Sequence, residues 1–172
     1  MEIIKRLFIK AIALLTGSLV VILFFIYLPC VLGTSNESSV NEGFHIFRYA
    51  AIIPMLLGAV LGGKCIFDFF IEGQGTPSPI DPPKKLVVSG FYRYNRNPMY
   101  SSVLLVLIGY SVWFLSLLVL LYTLAFFLVI HSFIVLFEEP ALRKKFGDSY
   151  ISYCQKVPRW IPRLSKSANR SN

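Results

Sequence analysis

The sequence predicts an all-α integral membrane protein of about four transmembrane helices, in which spans three and four form a hairpin and a C-terminal amphipathic helix lies in the membrane interface. Three observations carry that expectation. Of 172 residues, 55% are hydrophobic and 15% charged, a balance too apolar for a soluble domain of this size. The apolar residues are gathered into runs long enough to cross a hydrocarbon core of about 30 Å. The positive charges, which give a net +8, fall in short blocks between those runs. That is the pattern of membrane topology; nucleic-acid binding would string the charges along one helical face.

Residues 11–32 hold 22 positions without a charge, enough for a first span. A cleaved leader would carry a shorter apolar part, about 7–15 residues, ending at small residues, so this segment is expected to stay in the membrane. Residues 44–71 make the second span, which includes Arg48, Lys64 and Asp68 and which Pro54 is expected to kink. Lys64 and Asp68 are spaced to pair along one helix face. Gly58 and Gly62, with Ala59 and Gly63 beside them, offer a small-residue face for close helix packing. Residues 99–137 contain no Asp, Glu, Lys or Arg over 39 positions. As one helix they would extend roughly 58 Å, about twice the membrane thickness. They must therefore fold back, with the reversal expected between Gly109-Tyr110-Ser111 and Ser116.

Lys5, Arg6 and Lys10 precede span one, and Lys84, Lys85, Arg93 and Arg96 precede span three. Eight Lys or Arg residues follow Phe137, whereas residues 33–43 and the hairpin turn carry none. With four spans, both termini and the 72–98 loop are expected on the cytoplasmic side. The organisation is then two N-terminal spans, residues 1–71, and a region of loop, hairpin and tail, residues 72–172. Cys30, Cys65 and Cys154 lie far apart with no Cys or His at ligand spacing, so neither a disulfide framework nor a metal site is expected.

Nearly all the polar sequence thus falls on one membrane face, in two segments that each abut an apolar helix. In the first, Pro77, Pro79, Pro82 and Pro83 force an extended course. Arg96-Asn97-Pro98 then opens span three, where Pro98 suits the first helical turn and free backbone N–H groups favour an anion. Ordinary helix entry flanked by topology signals is the bland alternative. The second segment starts with Glu138 and Glu139 at the end of span four, where two carboxylates oppose the helix dipole. A partner is needed, Arg93 or Arg96 across the loop, or a ligand. After Pro140, Ala141, Leu142, Phe146, Tyr150, Ile151 and Tyr153 recur at helical spacing beside Arg143, Lys144 and Lys145, as in one interfacial helix. His131 lies seven residues before Glu138, on nearly the same side of span four, where it could relay a proton or simply bond a neighbouring helix. Gly73-Gln74-Gly75 follows a membrane span and lacks the strand–glycine–helix context of a dinucleotide site.

The stretches LVVSGFYRYNRNPMY and EEPALRKKFGDSYISYCQKVPRWIP, separated by a helical hairpin, resemble the isoprenylcysteine carboxyl methyltransferase family and its phospholipid N-methyltransferase relatives. The resemblance covers residues 76–162, about half the chain. It implies an S-adenosylmethionine-dependent methyltransferase whose Arg-His-Pro-x-Tyr motif falls on Arg96, Pro98 and Tyr100, with Asn97 in place of His, and whose Glu-Glu pair is Glu138 and Glu139. Leu86, Val88, Gly90 and Tyr92 match the preceding stretch, whose backbone would line the cofactor pocket. Methyl transfer from a sulfonium needs mainly positioning in a water-poor site. Glu139 is assigned to the ribose diol or methionine ammonium, Arg96 to the methionine carboxylate and Tyr100 to the sulfonium. The acceptor is expected to be a lipid or lipid-modified group entering from the bilayer. A carboxylate acceptor would need a cation such as Arg93 or Arg159. An amine would need a base such as Glu138 or His131. Competing readings are a non-catalytic membrane scaffold or a transport subunit.

Overall fold

The computed structural model describes residues 22–35, 45–72 and 85–161. Among these every regular element is helical. A π-helical stretch, Ile22–Tyr27, runs into α1 (Leu28–Thr34); α2 (His45–Ala50) and α3 (Ile52–Ile71) follow. A 3-10 turn, Gly90–Arg93, leads to α4 (Pro98–Phe114) and α5 (Leu117–Phe133), and a π-helical turn, Ile134–Glu138, joins α5 to α6 (Glu139–Phe146) and then α7 (Asp148–Lys156). Two of these helical runs, Arg48–Asp68 and Leu117–Phe146, are long and apolar enough to cross a membrane, and Leu23–Thr34 and Pro98–Phe114 are shorter apolar helices. Ile53, Leu57, Val60, Leu117, Val129 and Leu136 are exposed on them. So much apolar surface on one chain calls for lipid around it.

Of the first span, residues 11–21 lie outside the described residues, as do the basic block at Lys5, Arg6 and Lys10 and the proline-rich run 77–83. In the second span the effect of Pro54 is local, and the helical run Arg48–Asp68 continues through it. Pro54 has no N–H to give to the carbonyl four residues back, and only Ala51, itself in helical conformation, separates α2 from α3. Lys64 and Asp68 pair on α3 as their spacing requires.

The most extensive helix contact is between α3 and α4, and glycine makes it close. A β-carbon at Gly58 would stand 2.6 Å from the Ser102 carbonyl oxygen, one at Gly62 2.9 Å from Ser102 Oγ, and one at Gly109 2.3 Å from Met55 Cγ. Gly58→Ala is accordingly expected to destabilise the fold by about 1–3 kcal/mol through overpacking against backbone. At Gly63 nothing lies within 4 Å. Gly63→Ala should leave the thermal unfolding midpoint in detergent unchanged or slightly raised, since Ala favours a helix interior by about 0.5–1 kcal/mol.

The hairpin reverses within the expected stretch, at its Ser116 end. Gly109 and Ser111 stay inside α4. The chain turns at Leu115, in the left-handed region at φ 49°, and Ser116 caps α5 by accepting from the Val119 N–H. This is a helix stop followed at once by a helix start.

The end of span four also differs from expectation. From Leu117 to Phe146 the helix is continuous for 30 residues, so Glu138 and Glu139 sit within it and the dipole argument does not apply. The π turn accommodates one residue more than an α-helical turn. Glu139 therefore takes the face that regular counting from His131 assigns to Glu138. The tail is two short helices, broken at Gly147 with φ 54°. Its aromatic face does not lie open to an interface. Tyr150, Tyr153 and Val157 are buried against Leu86, Leu142 and Phe146.

Candidate functional site

The site is built where three segments meet: the loop entering α4, the α5–α6 junction, and residues 157–161 after α7. Asn95 makes the entry into α4. Its Oδ1 accepts from the Asn97 N–H at 2.7 Å and its Nδ2 donates to Ser101 Oγ at 2.7 Å. This Asx turn holds the chain ahead of Pro98, which is buried at the first position of α4. Sequence reasoning passed over Asn95; the signal was an Asn two residues before the N-cap.

Arg96 then points across to α6. Its Nη1 donates to Glu139 Oε1 at 3.0 Å and lies 3.1 Å from Cys154 Sγ, while its buried Nε has no partner. Arg159 reaches the same carboxylate from the tail, donating from Nε to Oε1 at 2.8 Å and from Nη2 to Oε2 at 3.0 Å. A buried carboxylate held by two guanidiniums forms three charge-assisted bonds, and Arg suits this bidentate geometry better than Lys. The hydrogen bond to Glu139 raises the pKa of Arg159 above its usual value, so its charge is constant. Of the two arginines proposed for Glu139, Arg96 is found there. Arg93 is exposed on the 3-10 turn.

The neighbouring carboxylate has a different partner. Tyr100, on α4, donates to Glu138 Oε2 at 3.0 Å. The Asn97 side chain turns to the tail, where its Nδ2 donates to the Arg159 carbonyl at 3.1 Å, and the Arg96 N–H donates to the Pro158 carbonyl at 2.9 Å. Tyr153 Oη donates to the Tyr92 carbonyl at 2.6 Å. Burial pushes the Tyr92 and Tyr153 phenols above their ordinary range, which keeps both as neutral hydrogen-bonding groups. His131, two turns before the carboxylates, accepts at Nδ1 from the Trp160 indole N–H at 3.0 Å.

The stretch ahead of the motif is placed less uniformly. Leu86 packs on the tail tyrosines, and Val87 and Tyr92 bury against Cys65 of α3. Val88 and Gly90 stand at the surface. Gly90, at φ 53°, abuts Asp68, whose Oδ2 would lie 2.4 Å from a β-carbon there. An apolar cleft of about 460 Å³ is lined by Leu61, Phe91, Tyr94, Asn95, Pro98, Ser101, Leu104, Leu105, Ile108, Phe127, Trp160 and Ile161, of which Asn95 and Trp160 adjoin Arg96 and Arg159 in the chain. A polar cluster next to an apolar cleft can hold a charged group and a hydrocarbon chain at the same time.

A family profile described as phospholipid methyltransferase matches residues 46–149, more than half of the chain. Over 134 residues the chain is 39% identical to protein-S-isoprenylcysteine O-methyltransferase of Schizosaccharomyces pombe, covering 72% of this chain and 52% of that one. Over 81 residues it is 33% identical to protein-S-isoprenylcysteine O-methyltransferase B of Arabidopsis thaliana, 45% of this chain and 40% of that one. An uncharacterized protein of Haemophilus influenzae matches over its whole length, 63 residues at 44% identity. The chain thus spans about half or less of the two methyltransferases.

Proposed function

Because this chain belongs to the phospholipid methyltransferase family, we propose that it transfers a methyl group from S-adenosylmethionine to an anionic group carried on a lipid chain. The observation that carries the reading is the convergence of the Arg96–Glu139–Arg159 cluster and the Tyr100–Glu138 pair, with an apolar cleft whose wall residues Asn95, Ser101 and Trp160 are chain neighbours of Arg96, Tyr100 and Arg159. The two relatives named for methylation of isoprenylcysteine support a carboxylate acceptor on such a chain. Four spans, with both termini and the 72–98 loop cytoplasmic, are supported by the distribution of Lys and Arg.

The residues suit the cofactor. The unpartnered Nε of Arg96 is a buried donor suited to the methionine carboxylate. Glu139, taken up by two arginines, orients Arg96, and Glu138 is left to receive the ammonium or ribose diol. Tyr100 offers a ring face for a sulfonium. The chemistry that S-adenosylmethionine supplies when bound is a sulfonium methyl, whose carbon bonds to the acceptor oxygen as its bond to sulfur breaks and the electron pair passes to sulfur. A carboxylate acceptor is already ionised at neutral pH, so no residue has to remove a proton from it. The exposed Arg93 is the cation assigned to steer it, and the role of His131 is then to hold Trp160. An amine acceptor, favoured by the family's description, would instead draw on Glu138 as base.

The test is transfer of labelled methyl by the full chain in lipid nanodiscs to an isoprenylated cysteine, an aminophospholipid and a water-soluble analogue of each. Turnover of the isoprenylated cysteine above the others is expected. Selective labelling of the aminophospholipid would move the assignment to an amine, and preference for the soluble analogues would overturn entry from the bilayer.

A further inference from the structure

Resting on the methyl-transfer reading above, we propose that Trp160 is a specificity-determining residue, its indole fixing the width of the apolar cleft and so the thickness of the acceptor chain that enters. The indole has been given unusual support for a residue in an irregular tail. Its N–H donates to His131 Nδ1 at 3.0 Å. An indole N–H can only donate, so the imidazole accepts there and carries its proton on Nε2. The ring also packs on Phe127, with centroids 5.1 Å apart. Phe127 and His131 are one turn apart on α5, so both hold the indole against the same face of that helix. On the preceding residue, the Arg159 guanidinium is fixed to Glu139 and its carbonyl to Asn97. Backbone and side chain are thus both anchored, and a tryptophan with two side-chain torsions has little freedom left to yield.

What this fixed ring faces is the cleft. Trp160 and Phe127 supply wall from the tail and α5, while Leu104 and Ile108 of α4 and Leu61 of α3 supply wall from the remaining helices. Glu139 lies eight residues beyond His131, roughly 12 Å along the helix. The indole therefore stands deeper than the charged cluster and meets the chain of an acceptor, not its reacting head. A packed apolar wall discriminates among chains by the room it leaves, and one carbon branch more or less in such a pocket is worth tenfold or somewhat more, about 10–200-fold.

The test compares two cysteine thioethers with the same carboxylate and the same chain length, one with a straight alkyl chain and one with a methyl-branched terpenyl chain. Methyl transfer to each is measured on the full chain in nanodiscs, together with equilibrium binding of the corresponding carboxamides, which cannot accept the methyl. Trp160→Ala is expected to shift the branched-to-straight ratio by about tenfold toward the branched chain in both measurements, and Trp160→Phe by less. His131→Gln retains an acceptor for the indole and should keep the original ratio, whereas His131→Leu should move it in the direction of Trp160→Ala. S-adenosylmethionine affinity, unchanged in all four variants, reports that the fold is intact. An unchanged ratio in Trp160→Ala, with both chains weakened alike, would overturn the inference, as would a wild-type chain that binds neither carboxamide. Wild-type protein that discriminates the carboxamides but transfers no methyl would instead fault the methyl-transfer reading while upholding the role of Trp160.

Discussion

Glu139→Ala is expected to lose S-adenosylmethionine binding and to destabilise the folded protein by about 3 kcal/mol. Removing one member of a buried ion pair leaves the others uncompensated and typically costs about 3–5 kcal/mol. The lower end applies because the Arg159 side chain is 30% exposed and water can reach it. The change removes the bonds from Arg96 and from both Arg159 nitrogens together, and so unfastens the tail from the α5–α6 junction. Glu139→Gln keeps one oxygen acceptor and the side-chain volume, and should retain part of both properties. Thermal unfolding in detergent and calorimetric titration with the cofactor provide the measurements. An Ala variant with the wild-type midpoint and affinity would remove Glu139 from the site.

Arg96→Ala should separate binding from stability. Arg159 still neutralises Glu139 in this variant, so the unfolding midpoint should fall less than in Glu139→Ala. The cofactor, however, loses a charge-assisted hydrogen bond of about 1.5–3 kcal/mol, which is roughly 10–150-fold in affinity. Arg96→Lys restores the charge but not the planar fork, and it should recover little of that loss. A calorimetric affinity equal to wild type in a folded Arg96→Ala protein would place the methionine carboxylate elsewhere.

Both expectations rest on a cluster of which one half could be read along the chain. Arg96, Glu138 and Glu139 stand out in the sequence because each lies at the polar end of a long apolar run, where lipid leaves few positions for charge, and Tyr100 is marked only by the family motif it shares. The same constraint makes the apolar helices, the need for a hairpin in residues 99–137 and the Gly58–Gly62 contact face legible, since each is a property of one helix and its period. The pairing of those residues is another matter. Arg159 is 20 positions from Glu139 and Arg96 is 43, and no local pattern relates them. The π turn at Ile134–Glu138 shifts the register between His131 and the carboxylates, which a regular helical count cannot anticipate. Gly147 divides a tail that reads as one amphipathic helix, and the aromatic side chains so freed bury against Leu86 instead of lipid. Asn97 looks like a ligand-facing motif residue and is spent on the Arg159 carbonyl. These arrangements are settled where three segments compete for the same few hydrogen-bonding groups in a largely buried space. Pairing the Glu139 carboxylate and most of the buried donors around it outweighs the cost of bending a helix to reach them.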